Sequence, residues 1–360
     1  MKVTVIGAGN GGLALGGVLS NLGIEVKLYD KFNEVIEPIK NNGNSIKVIT
    51  DYQTFTSQFN IVTTNLASAI EGSNYLLVVT PAFAHRELAQ ELTTCIKEDQ
   101  RIILIPGRTG GAIEVRNILS KQNKHNIVAE TDTLFYACRK TNPTTVQIYG
   151  IKRNVGIGSI PASAIKNIVD DFSHYLPYLK PYENVLYSSL NNIGAIFHPT
   201  PFLLNIGNVD RKHEFTYYHQ GITPFIASFL EEMDKERIAI ASALSIQLPT
   251  AIDWVKENYN VIGKTMYEVI QANKNYGDIL APTDVFSRYT LEDIPMSLVP
   301  LTEIAKLLEV KTPYMNDIIN LGSRLYKKDF RSEGRNLQLF GINSKTELTN
   351  IIEGKFMPTN

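Results

Sequence analysis

The chain has 360 residues, 44% hydrophobic and 20% charged, and its 35 Lys plus Arg against 36 Asp plus Glu give a formal net charge of −1. That composition excludes intrinsic disorder, and so even a charge excludes a protein built mainly on nucleic-acid phosphate contacts. At about 150 residues per domain the length suggests two domains, and the two cysteines, Cys95 and Cys138, fit a reducing cytosol rather than a disulfide scaffold.

At the N-terminus, residues 3–6 form a short apolar run that stops at GAGNGG, residues 7–12. Residues 13–22 then have helical character and end at Gly23, and a second apolar run, 26–29, ends in Asp30. This is strand, glycine turn, helix, strand and acid, the order of a dinucleotide-binding unit. The glycines have separate tasks: Gly7 permits the tight turn, Gly9 lets a pyrophosphate approach the backbone, and Gly12 lets helix and strand pack closely. The helix N-terminus offers N–H groups and partial positive charge to the anion. Asp30 is spaced to accept hydrogen bonds from the adenosine ribose. Gly7, Gly9, Asn10, Gly11, Gly12, Asp30 and Pro81 are therefore the expected cofactor-binding set. A carboxylate at residue 30 repels a 2′-phosphate, so NAD is expected and NADH preferred over NADPH. Lys31 is either a partner for that phosphate or a solvated loop cation, and the second reading is preferred. The same glycines interrupt the apolar core that a signal peptide would need, and no run of about 18 apolar residues occurs. A soluble, cytoplasmic protein with no membrane partner is expected.

The alternation continues with strands expected at 44–50, 61–64, 75–80, 101–105 and 126–130, and helices at 83–96 and from Gly111 to about Ser120. Residues 80–85 and 106–111 follow strand ends and should face the same crevice as the glycine turn. His85 there is either a catalytic group or a residue that merely opens a helix. Beyond about residue 180 the pattern turns helical, with helices expected at 227–244, 250–259, 265–272, 301–309 and 313–326. The fold class expected is α/β: a Rossmann-type dinucleotide-binding domain, 1–184, followed by an all-α substrate domain, 185–360. With no low-complexity linker, the two should pack directly together.

Two polar stretches stand out in the helical half. In SSLNNIGAIFHPTP, His198 lies among apolar residues. It is either an acid–base group or a core histidine with both nitrogens satisfied. In SRYTLEDIP, Arg288 offers a two-pronged donor for a carboxylate and Asp293 an acceptor for an imidazole. Alternatively these two make a salt bridge between helices.

The chain resembles the opine dehydrogenase family, that of octopine and nopaline dehydrogenases, and most of all its bacterial N-(1-D-carboxyethyl)-L-norvaline dehydrogenase type. The resemblance rests on GAGNGG, PGRTGGAIEVR at 106–116, ACR at 137–139, NNIGAIFHPTPFLLN at 191–205 and FTYYHQGITP at 215–224. It continues through DKERIAIA at 234–241, SRYTLEDIPMSLVPL at 287–301 and DFRSEGRNLQLFGI at 329–342. It implies a helical domain like that of 6-phosphogluconate dehydrogenase, with the active site in the cleft between domains. It implies NAD(P)H-dependent condensation of an amino acid with a 2-oxo acid, pyruvate first, through an imine. On the family pattern the catalytic histidine falls on His198, its partner on Asp293 and the carboxylate-binding arginine on Arg288. Substrate contacts fall on Asp132, Cys138 and Thr223. Arg108 stands where relatives carry a small or polar residue, and is either an anion contact or a solvated loop residue. The partners expected are small molecules, with a homodimer as the assembly, no nucleic acid and no metal. The alternative activity is direct reduction of an oxo acid to a hydroxy acid. Enzymes of that kind rely on lysine and asparagine where His198, Arg288 and Asp293 stand here.

Overall fold

The computed structural model describes residues 1–352, so the C-terminal limit expected at residue 360 lies outside the described residues. The chain divides into two compact units, one holding Met1–Ser188 and residues 350–352, the other Ser189–Thr349.

The first unit is α/β. Its elements in order are β1 (Lys2–Ile6), α1 (Asn10–Asn21), β2 (Glu25–Tyr29), α2 (Asn33–Asn41), β3 (Ser45–Ile49), β4 (Thr54–Gln58), β5 (Ile61–Thr63), α3 (Leu66–Ile70) and β6 (Tyr75–Val78). They continue as α4 (His85–Leu92), β7 (Arg101–Leu104), α5 (Gly111–Ser120), β8 (Val128–Thr131), β9 (Tyr136–Asn142), β10 (Thr145–Ile151), β11 (Val155–Ile160), α6 (Ile165–Phe172), β12 (Leu179–Pro181) and the start of α7 (Val185–Leu190), whose last two residues count with the second unit. Eight strands form one sheet in the order β12-β11-β8-β7-β6-β1-β2-β5, parallel throughout except where β11 runs against β8. Its central strands are apolar on both faces, as parallel strands covered by helices must be; Val3, Val5, Leu76 and Val78 are fully buried.

The segment expected as a strand at 44–50 does form one, β3, but it does not join this sheet. It belongs to a second sheet, β4-β3-β10-β9, whose hairpin β9–β10 the apolar pattern of the sequence does not mark. The physical cause lies in α1. That helix is buried on several sides, and its small residues allow a layer on each: a Cβ on Gly16 would lie 3.4 Å from Val5 of the large sheet, and one on Gly17 would lie 2.6 Å from Val48 of β3. Strong apolarity all round, rather than on one stripe, is the mark of a helix covered by two layers. The helix expected over 83–96 is shorter, a 3₁₀ turn at Ala82–Ala84 leading into α4, which stops at Leu92.

The second unit is helical: α8 (Gly194–Phe197), α9 (Pro199–Leu204), α10 (Ile206–Asp210), α11 (Pro224–Ala243), α12 (Ala251–Tyr259), α13 (Met266–Ala272) and α14 (Arg288–Leu291). A π turn, Ile294–Leu298, leads into α15 (Val299–Leu307), then α16 (Pro313–Tyr326), α17 (Phe330–Glu333), α18 (Leu337–Phe340) and the start of α19 (Lys345–Ile352), whose residues 350–352 count with the first unit. The five long helices expected from periodicity are α11, α12, α13, α15 and α16. The DKERIAIA run supplies buried polar fastening rather than chemistry. Arg237 donates to Asp234 (2.7 Å) and to the carbonyls of Leu190 and Pro249, while Glu236 accepts from the N–H groups of Tyr314 and Met315 at the start of α16. Every buried charge here is met by hydrogen bonds, which is the condition for tolerating it.

Candidate active site

In the first unit the glycine turn follows β1, and its geometry explains its composition. Gly7 has φ +104°, a left-handed conformation that side chains rarely adopt, and a Cβ there would lie 2.7 Å from the Val79 carbonyl oxygen. A Cβ on Gly12 would lie 1.8 Å from the Gly7 oxygen, so α1 can approach the turn only without one. A Cβ on Gly9 would meet nothing within 4 Å, so this residue faces open space. Gly11 lies close beneath Val79 and Leu134. The start of α1 has no side-chain cap and no acid in its first turn. Thr80, two residues past β6, holds a buried hydroxyl oxygen without a hydrogen-bond partner among the described residues, and exposed Pro81 follows it. An uncapped helix start, an open glycine face and an unsatisfied hydroxyl fit the phosphates and hydroxyls of a dinucleotide. Gly12→Ala should therefore lower stability by about 1–3 kcal/mol through overpacking against backbone. A denaturant titration, with NADH binding followed in parallel, checks this.

Asp30 has a task beyond the one expected. Its Oδ2 accepts from the Ala8 N–H (2.8 Å) and its Oδ1 from the Phe32 N–H (3.1 Å), so it holds the glycine turn in shape. Lys31 is engaged on the surface with Glu87 (2.8 Å), the arrangement of a solvated loop cation. His85 is buried as the first residue of α4, which places it in the packing of the first unit.

The second glycine loop, PGRTGG, differs from the first. The start of α5 is filled by the protein's own Glu130: its Oε2 accepts from the Ala112 N–H (2.7 Å), its Oε1 from Ser188 Oγ (3.3 Å), and a Cβ on Gly107 would strike it. That helix end already carries its anion. Arg108 is buried, with φ +60°, and is not a solvated loop residue. Nearby, burial lowers the Lys152 ammonium to about 8; Asp132 opposes that shift and Arg108 adds to it. Asp132 accepts from Tyr182 Oη (2.7 Å) and from the Gly156 N–H (3.0 Å). Cys138, on β9, packs against the core, and burial pushes its thiol up to about 11. Thr223 is exposed and caps α11 by accepting from the Ile226 N–H (3.3 Å).

In the second unit the two polar stretches meet. His198 stands at the joint between α8 and α9, with Pro199 opening the latter. Its Nδ1 lies 2.9 Å from Asp293 Oδ2. The Asp293 side chain is 0% exposed and that of His198 15%, so the carboxylate is sealed while one edge of the ring stays accessible. A carboxylate only accepts, so the Nδ1 facing it carries the proton. Tyr289 stacks on the imidazole at 4.4 Å and 13°, and Tyr217 donates from its hydroxyl to the carbonyls of Phe197 and His198. Neither tyrosine was singled out in the sequence; the only signal for Tyr289 was its place between Arg288 and Asp293.

Arg288 is exposed at the start of α14, with its guanidinium 5.9 Å from the Tyr289 ring centre. It makes no ion pair with Asp293, whose partner is His198, so the salt bridge considered for these two is not formed. Behind Asp293, the π turn is held by the DFRSEGR segment: the Arg335 N–H donates to the Pro295 carbonyl (3.0 Å), and a Cβ on Gly334 would lie 2.6 Å from that oxygen. Among the described residues no cluster of His, Cys, Asp or Glu is set to hold a metal ion, and no helix is long and apolar enough to cross a membrane.

Comparison with known proteins adds to this geometry. Residues 181–326 match the model of the NAD/NADP octopine/nopaline dehydrogenase α-helical domain, and residues 2–114 match the NAD-dependent glycerol-3-phosphate dehydrogenase N-terminus. The chain is 35% identical over 343 residues to an opine dehydrogenase of Arthrobacter sp. strain 1C, covering 95% of each. A solved octopine dehydrogenase in complex with NADH and agmatine has the same fold, with a TM-score of 0.85 at 23% identity over all of both chains. A yersinopine dehydrogenase with NADP⁺ bound gives 0.80 at 14% identity, over 99% of this chain and 98% of that one.

Proposed function

The chain belongs to the opine dehydrogenase family, and from that premise we propose that it condenses an amino acid with pyruvate at the expense of NADH, using His198, Asp293 and Arg288. The observation that carries this reading is the 2.9 Å contact between His198 Nδ1 and the sealed Asp293 carboxylate.

The reaction forms a C–N bond between the amine and the ketone carbon, expels the ketone oxygen as water, and reduces the resulting imine to a secondary amine dicarboxylate. When bound, the nicotinamide cofactor supplies the hydride. The chain's own groups deal with protons and carboxylates. With Nδ1–H committed to Asp293, His198 presents Nε2 to the substrate. That nitrogen takes a proton from the attacking ammonium and returns one to the departing hydroxyl. Asp293 fixes the tautomer and stabilises the imidazolium while it exists. Arg288 offers a planar, permanently charged fork to a carboxylate, which a mobile lysine does not match. Asp132, Cys138 and Thr223 complete the reading as substrate-side residues.

Following NADH oxidation with pyruvate, with and without each amino acid, tests the proposal. Turnover that depends on the amine supports it, and equal turnover with pyruvate alone points to direct reduction instead. The same assay addresses the cofactor. Asp30 beside the turn would repel a 2′-phosphate, and the neighbouring Lys31 is engaged with Glu87. We expect kcat/KM for NADH to exceed that for NADPH by at least about tenfold, the ratio that 1.4 kcal/mol produces. A preference for NADPH would contradict it.

A further inference from the structure

We propose that Lys140, on β9 of the second sheet, is a diphosphate-binding residue of the cofactor site. It rests on dinucleotide binding by the first unit, not on the amino-acid chemistry assigned to the second.

Among the described residues, Lys140 supplies the hydrogen bonds from the second sheet to the glycine turn. The Lys140 N–H donates to Asn10 Oδ1 (2.9 Å), and its ammonium donates to the Ala8 carbonyl oxygen (3.3 Å). Lys140 is half-buried and pairs in register with Val146 of β10, so the hairpin holds its backbone in place. It forms no ion pair among the described residues. The carboxylate nearest the turn, Asp30, accepts instead from the Ala8 and Phe32 N–H groups.

This is an odd place for an uncompensated cation. The start of α1 already presents partial positive charge, has no acid in its first turn and no side-chain cap. A lysine there repels the helix end unless an anion joins both. Gly9, between Ala8 and Asn10, the two residues that Lys140 engages, faces open space. An ammonium has three donors, and the Ala8 carbonyl takes one. The remaining donors, the open glycine and the first-turn N–H groups together suit a group with two negative charges and several acceptor oxygens. Lys140 therefore couples the hairpin to the cofactor: it shapes the turn through Ala8 and Asn10 and neutralises the diphosphate when that arrives.

The test compares NADH, ADP-ribose and adenosine binding to the full chain and its variants, with NADH followed by its fluorescence and the other two by competition. Wild-type binding of NADH is the control on the dinucleotide reading itself; its absence would overturn that reading, and this inference with it. Lys140→Met should weaken NADH and ADP-ribose about tenfold, as expected for one charge-assisted hydrogen bond, while leaving adenosine unchanged. Lys140→Arg, which keeps the charge, should bind ADP-ribose nearly as wild type. Lys140→Gln, which keeps a donor and lacks the charge, should follow Met and stands in for it if the apolar variant does not fold. ADP-ribose binding at the wild-type level in Met or Gln would overturn the proposal. So would an equal loss for adenosine and ADP-ribose, because that would make Lys140 a support of the turn only.

Discussion

His198→Ala is expected to lower kcat for amine-dependent NADH oxidation about 10²–10⁴-fold, the range general acid–base catalysis supplies. NADH affinity should not change, because the glycine turn, Asp30 and the open face of Gly9 all belong to the first unit. Asp293→Asn should lose much of the same factor with the fold intact. The amide can point its NH₂ at Nδ1 and drive the ring into the other tautomer, which places the proton on Nε2 and removes the base. Because the aspartate acts only through the histidine, the double variant should be little worse than His198→Ala alone. Steady-state kinetics on the two single variants and the double variant check this, and losses that multiply would mean separate tasks.

Replacing Arg288 should affect the substrate rather than the proton. Its guanidinium is exposed over Tyr289, and its charge is not spent on Asp293. Arg288→Met should raise KM for a carboxylate substrate by roughly 10–10²-fold, the worth of hydrogen bonds to a charged group. Arg288→Lys keeps the charge but loses the fork, so its KM should fall between those of wild type and Met. A variant with unchanged KM for both substrates and a lowered kcat would instead assign Arg288 to the chemical step.

The parts of this molecule that could be read in advance are those whose physics is local. GAGNGG announces a backbone that must approach both a strand and an anion, and periodicity alone marks α11, α12, α13, α15 and α16. Nonlocal packing could not be read that way. The second sheet depends on α1 being small enough on its outer side to receive Val48, a contact between residues 31 positions apart. Asp30 was placed for its spacing to the ribose, and only the fold shows it holding Ala8. Likewise, PGRTGG resembles an anion loop until Glu130, from the next strand, is seen to occupy its helix.

The candidate site divides in the same way. His198, Arg288 and Asp293 carry residue types suited to the chemistry, but spacing alone left each with an ordinary structural explanation. Family resemblance pointed to the chemical one, and the His198–Asp293 contact agrees with it. Tyr289, Tyr217, Gly334 and Arg335 all lie in stretches that carry the resemblance, but their roles are set by what packs behind the site and could not be read from those stretches. Asp132 and Thr223 show the converse. Both are expected on the substrate side, while in the fold Asp132 accepts from Tyr182 and from Gly156 of β11, and Thr223 caps α11.

The most direct test of the central claim is the fate of labelled hydride. NADH carrying deuterium at the transferable position, incubated with the protein, pyruvate and an amino acid that supports turnover, should give a secondary amine dicarboxylate. Mass spectrometry should find one deuterium in it, on the carbon that was the pyruvate ketone. Deuterated lactate as the sole product, formed equally well without the amino acid, would contradict the account.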